Sequence, residues 1–190
     1  SILTHSDNYN QNVMLNFPYF NRHYSSIEIN TNGQLVISND FTSYIDVYYS
    51  DLITSALRGR IYYRVTNNST TMASLNSQII SKFPNYSTFS ATNALIVTYF
   101  DVPHVSQQLN TGTFQVVVVT DGNYTFVIMN YGQIEFTGVS VMTLITDGAV
   151  GANNIDFTGN SYSSNTNVNG RFIFQVNYPS KKMILIFLIN

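Results

Sequence analysis

The residues of this chain that could do chemistry fall into a few small groups. Asp101, His104 and Ser106 stand close together in Asp101-Val102-Pro103-His104-Val105-Ser106. They supply an acid, a base and a hydroxyl, the parts of a hydrolytic triad. Triads are assembled by geometry across a fold, not by local order, and Pro103 after an apolar run marks a polar turn instead. His5 and His23 are lone residues in polar or aromatic surroundings and read as surface groups. Asp147 to Asp156 offers oxygen ligands but not in the Asp-x-Asp/Asn-x-Asp/Asn-Gly order of a calcium loop. The eight Asp and two Glu are otherwise scattered, and the chain has no cysteine. Disulfides, thiolate metal sites and a Cys nucleophile are therefore absent. The expectation is a protein without catalytic residues, metal or cofactor.

Modification chemistry is the richer signal. Asn67, Asn68, Asn85 and Asn123 each open an Asn-X-Ser/Thr acceptor for N-linked glycan. Asn67 and Asn68 overlap, so one of the pair is expected to be used. Chance competes with this reading, because a chain rich in Asn, Ser and Thr generates such triplets freely. Tyr131, Tyr162 and Tyr178 are candidates by type for stacking on sugars, although Tyr also packs at half-buried rims of β-sandwiches.

The tail is the sharpest local oddity. Met183, Ile184, Leu185, Ile186, Phe187, Leu188 and Ile189 are seven consecutive apolar residues of high β-propensity. Exposed, such a run is an aggregation hazard. It can close the chain's own sheet or be donated as a strand to a neighbouring copy, joining copies head to tail. A stub of a membrane span is a third use, for which seven residues are too few.

These residues sit in a chain of 190 with 44% apolar and only 9% charged residues, against about 25% charged in an ordinary soluble domain. The polar surface must come from Asn (24 residues), Ser, Thr, Gln and Tyr. Such uncharged surfaces suit secreted modules, capsids and glycan-facing proteins. Net charge is −2 and no basic run exceeds Lys181-Lys182, so nucleic-acid binding by a positive stripe is not expected. The opening SILTHSDNYN reads as a mature or excised segment, and no run is long enough to span a membrane.

The positioning elements follow from periodicity. Ser1 to Asn16 is polar and extended, and Phe17 to Phe20 opens the core. Ser26–Ile29 and Gln34–Ser38 flank a turn containing Gly33. Phe41–Tyr49, Arg60–Val65 and Ala94–Phe100 read as strands, as do Val139–Ile145 and Arg171–Val176. Phe114 to Val119 suits a strand buried on both faces. Asp121-Gly122 then signals a two-residue hairpin, with Tyr124, Phe126 and Ile128 on one face of the returning strand. Asn130-Tyr131-Gly132 turns the chain again, and Gln133–Phe136 begins a third strand, making a β-meander. Met72, Leu75, Ile79 and Phe83 recur at helical spacing, predicting one short amphipathic helix over about residues 71–83, capped by Thr70 or Thr71 and stopped by Pro84. Gly148 to Gly170 is an Asn/Gly/Ser-rich loop region. The sum is a mainly β fold of sandwich-like antiparallel sheets, one domain over 1–190 with an extended segment at 1–16 and an apolar strand at 181–190.

Several stretches in this order resemble the NIDO domain, the extracellular module of nidogen, α-tectorin and mucin-4-like proteins. FPYFNRHYSSIEINTNGQLVIS (17–38) resembles its opening, and GRIYYRVTNNSTTMASLNSQI (59–79) its strand plus helix. ALIVTYFDV (94–102), TFQVVVVTDGNYTFVIMNYGQIEF (113–136) and GRFIFQV (170–176) resemble later strands. The chain has no Trp, and Tyr99-Phe100 and Phe136 stand where relatives carry indoles. The resemblance implies a secreted, non-enzymatic structural or adhesion module of matrix proteins, and the tail strand, if donated, would add copies of the chain as partners and the means to build filaments. A carbohydrate-binding module and a viral or microbial coat protein are the other classes that the composition leaves open.

Overall fold

The computed structural model describes residues 2–3, 10–37, 42–54, 58–147 and 164–177. The strands are β1 (Ile2–Leu3), β2 (Asn10–Tyr19), β3 (Arg22–Asn30), β4 (Gln34–Val36), β5 (Tyr44–Tyr49), β6 (Arg60–Thr66), β7 (Asn93–His104), β8 (Gln107–Thr120), β9 (Thr125–Ile134), β10 (Met142–Thr146) and β11 (Arg171–Gln175). Helix α1 (Ser69–Lys82) and a 3-10 turn (Pro84–Tyr86) lie between β6 and β7. The strands form two antiparallel sheets, a six-stranded one in the order β1-β6-β7-β8-β9-β11 and a five-stranded one in the order β10-β5-β4-β3-β2. The fold is the expected mainly β, sandwich-like arrangement with one helix.

Strand β8 explains why the Val run reads as buried on both faces. Phe114, Val116 and Val118 enter the core between the sheets, while Val117 and Val119 enter a second core under α1. Each fully buried Val contributes roughly 1.5–3 kcal/mol. The inter-sheet core also takes Phe17, Tyr19, Ile27, Ile29, Leu35, Ile45, Leu95, Val97 and Tyr99. Tyrosine hydroxyls reach across it: Tyr99 donates to the Asn30 carbonyl at 2.7 Å and Tyr131 to the Val47 carbonyl at 2.6 Å. Burial pushes both phenols above their ordinary range. Being donors in a dry core, they stay protonated and hold the sheets in one relative position.

The helix buries Met72, Leu75 and Ile79, as the spacing predicts. Its cap differs. Asn68, not Thr70 or Thr71, stands at the N-cap, its Oδ1 accepting from the Thr71 amide at 3.1 Å. The helix therefore starts at Ser69, earlier than periodicity shows, because the first turn is exposed and carries no apolar signal.

The meander is β6-β7-β8-β9, but its turns depart from expectation. The chain does not turn at Asn130-Tyr131-Gly132. Strand β9 runs through them to Ile134, and no third strand begins at Gln133. Gly132 instead allows close approach: a Cβ there would meet the Thr113 carbonyl at 3.2 Å. The β8–β9 connection is four residues, Asp121 to Tyr124. The Asp121 carboxylate accepts from the Asn123 and Tyr124 amides at 2.8 and 2.7 Å, an Asx-type closure. Two further hairpins are tight, and only the second falls in an expected turn, the polar one near Pro103. Phe20-Asn21 joins β2 to β3 with φ of 43° and 64°, the signs of a type I′ turn. Val105-Ser106 joins β7 to β8.

The end of β11 is tied to the other sheet, since Phe20 and Asn21 amides donate to the Val176 and Asn177 carbonyls at 2.7 and 3.2 Å. The tail 183–189 lies outside the described residues, as do Tyr162 and Tyr178 and most of the loop from Gly148.

Candidate functional site

The Asp-His-Ser letters assemble into a turn. His104 Nδ1 accepts the Ser106 amide at 3.1 Å and lies 2.8 Å from the Ser106 hydroxyl. That ring nitrogen has one lone pair, and the backbone amide occupies it. Asp101 faces Arg58 at 3.5 Å and sits at φ 53° in a break of the β7–β8 register. Among the described residues no three His, Asp or Glu stand close enough to hold a metal ion, and no helix is long and apolar enough to cross a membrane.

All four acceptor asparagines are exposed. They gather at one end of the six-stranded sheet, where Thr66 pairs with Ala94, Asn93 with Thr120 and Thr120 with Thr125. Asn67 and Asn68 precede α1, Asn85 lies in the 3-10 turn and Asn123 in the β8–β9 loop. Tyr86 meets Tyr124 edge-on at 5.1 Å, which brings the last two acceptor loops together. Of the sugar-stacking candidates, Tyr131 is buried with its hydroxyl on Val47 and presents no ring to solvent.

A different polar surface emerges from strand register. Thr98, Gln115, Asn130 and Arg171 are direct cross-strand partners on β7, β8, β9 and β11. Their side chains bond in series: Arg171 Nε donates to Asn130 Oδ1 at 2.8 Å, Asn130 Nδ2 to Gln115 Oε1 at 3.2 Å, and Gln115 Nε2 to Thr98 Oγ1 at 2.8 Å. All three bonds point the same way, so each polarises the next. This ladder floors a shallow groove of about 360 Å³ beside Gly132. A second cleft of about 510 Å³, between α1 and residues 165–168, shares Val168 and Arg171 with it. In that cleft Lys82 donates to the Asn165 carbonyl. On the same sheet face, Arg60 pairs across from Phe100 and Tyr62 from Thr98, with Arg64 one pleat further on. Arg60 and Arg64 are exposed, Phe100 is half exposed, and the Tyr62 and Phe100 rings meet at 6.2 Å. Alternation in RIYYRV hints that Arg60, Tyr62 and Arg64 share a face, but the ladder needs four strand registers that no local pattern encodes.

The fold is a two-sheet sandwich in which His104 and Ser106 close a turn and a row of polar side chains lines one sheet face. Residues 8–159 match the family model of the Nidogen-like domain, NIDO, and the chain belongs to that family. The matched range stops short of the stretch 170–176 that also resembles it. The chain is 32% identical to alpha-tectorin of Mus musculus and 31% identical to that of Homo sapiens, each over 134 residues and 63% of this chain. Alpha-tectorin of Gallus gallus is 24% identical over 196 aligned positions and 84% of the chain. The chain spans only 6–9% of the length of these relatives. No solved structure matches it. Family membership makes the domain an extracellular, matrix-type module.

Proposed function

We propose that this chain works as one non-enzymatic structural domain in extracellular matrix or adhesive material, and that copies join through the tail strand 183–189. The similarity over residues 8–159 to the Nidogen-like domain carries the reading. Sheet edges are where an added strand would pair. The edge of β11 is occupied: the Asn165 side chain donates to the Ile173 carbonyl and accepts its amide, both at 2.9 Å, and Ser164 donates to the Arg171 carbonyl at 2.7 Å. The ten-residue edge of β2 is the long edge left among the described strands, and it is the proposed receiver. Partners are copies of the chain or other matrix proteins. Glycan on at least one of Asn67, Asn68, Asn85 and Asn123 covers the end of the six-stranded sheet.

Negative-stain electron microscopy with light-scattering mass tests the assembly. Filaments or rings that become monomers on removing Lys181 to Asn190 support it; a monomeric full chain sinks it. Intact mass before and after glycosidase tests the glycan, and an unchanged mass in secreted material refutes it.

A further inference from the structure

We propose that the outer face of the six-stranded sheet, built on the Thr98–Gln115–Asn130–Arg171 ladder, binds an anionic polysaccharide, a chain bearing sulfate or uronate groups. This deepens the matrix reading by naming a partner class, and it does not depend on the tail strand.

Charge distribution is the first argument. The chain is acidic overall with eight Lys and Arg, yet Arg60, Arg64 and Arg171 share this face. Among its described strand positions on β6, β7, β8, β9 and β11, the one carboxylate near it is Asp101, in the β7 bulge beside Phe100 and paired with Arg58 at 3.5 Å, and Glu135 lies just beyond the end of β9. A face of one sign on a protein of the other attracts a polyanion by complementarity.

Preorganisation is the second. The Arg171 guanidinium is held through Nε by Asn130, which leaves its Nη donors without a protein partner among the described residues. That fork matches a carboxylate or sulfate in a bidentate manner. The series of amides fixes Asn130 and Gln115 before any ligand arrives, so little rotamer freedom is lost on binding.

The third argument separates sugar from other polyanions. Tyr62 and Phe100 offer apolar ring surface beside the polar row, which suits the C–H face of a pyranose, and the row of amides and hydroxyl suits its ring hydroxyls. Three strand spacings of about 4.8 Å make the ladder roughly 14 Å long, room for a short oligosaccharide segment. With only three arginines, the face lacks the phosphate-clamp density of a nucleic-acid surface. The acceptor asparagines stand at the Thr66, Asn93 and Thr120 end of the sheet, whereas the groove lies beside Gly132.

The test passes the full chain over immobilised heparin, chondroitin sulfate, hyaluronan and neutral dextran at rising sodium chloride. Retention on a charged chain but not on dextran, falling with salt, is expected. The variant Arg60→Glu/Arg64→Glu, at two exposed positions that leave folding intact, should weaken it at least about tenfold. Arg171→Gln should weaken it with the circular dichroism spectrum unchanged. Arg22→Glu, on β3 of the other sheet, should leave it unaltered. No retention, equal loss in the Arg22 control, or double-stranded DNA held as tightly as heparin each overturns the proposal. Light scattering on the same samples keeps the two readings apart. Retention by a monomer sinks self-assembly alone, whereas filaments without retention sink the polysaccharide site alone.

Discussion

At the scale of single residues, Asp46 is the group most at odds with its surroundings. It is buried in β5, its Oδ1 accepts from Gln34 Nε2 at 2.7 Å, and its Oδ2 has no partner. Burial raises its carboxyl from the ordinary 3.8 to about 6, with the Gln34 amide opposing. Between those values the folded chain holds a proton that the unfolded chain has released. Stability therefore falls as pH rises through that window and levels off above about 6. Asp46→Asn should flatten this slope in urea titrations and stabilise the chain by about 1–2 kcal/mol at neutral pH, with no gain below the window. Gly33 is constrained from the other side. Its φ is 87°, and a Cβ would lie 2.3 Å from the Tyr48 carbonyl oxygen. Gly33→Ala should cost about 3 kcal/mol or more, read from the urea midpoint.

Elements show where sequence reading succeeded and why it stopped. The helix was legible because Met72, Leu75 and Ile79 bury one stripe, and β8 because a run of Val suits a strand covered on both sides. The Phe20-Asn21 hairpin was not, since a Phe at φ 43° has no propensity signal; the site is held by its bonds to Val176 and Asn177, far away in sequence. The break expected at Gly132 failed for a related reason: Gly there answers a neighbouring strand, not a turn. The candidate site was the least legible part, because Thr98, Gln115, Asn130 and Arg171 become neighbours only through pairing register. Two element-scale outcomes follow. Asn68→Ala removes the α1 cap and should lower stability by about 1 kcal/mol, whereas Asn68→Asp keeps a capping oxygen while abolishing that acceptor triplet. Thermal melts with glycan mass separate the two effects. Asn165→Ala strips the bonds that close β11, and it should cost about 1–2 kcal/mol and promote association read by light scattering.

Across the whole molecule, the two sheets are held by a shared core and by hydroxyls that cross it. Tyr99→Phe should loosen this, leaving the Asn30 carbonyl short of a donor at a loss of about 1–2 kcal/mol in urea unfolding. The joint between the Phe20-Asn21 turn and the end of β11 has another consequence. Residue 177 lies beside the far end of β2, one full strand length from Asn10. Tension applied at Asn10 and Asn177 therefore runs along the β2 backbone and crosses to the end of β11 at the Phe20 and Asn21 bonds, which bear it together. The same fold pulled through the β2–β3 turn would peel. In a tissue under strain, the direction in which the chain is tethered would decide whether this module behaves as a rope or a zip.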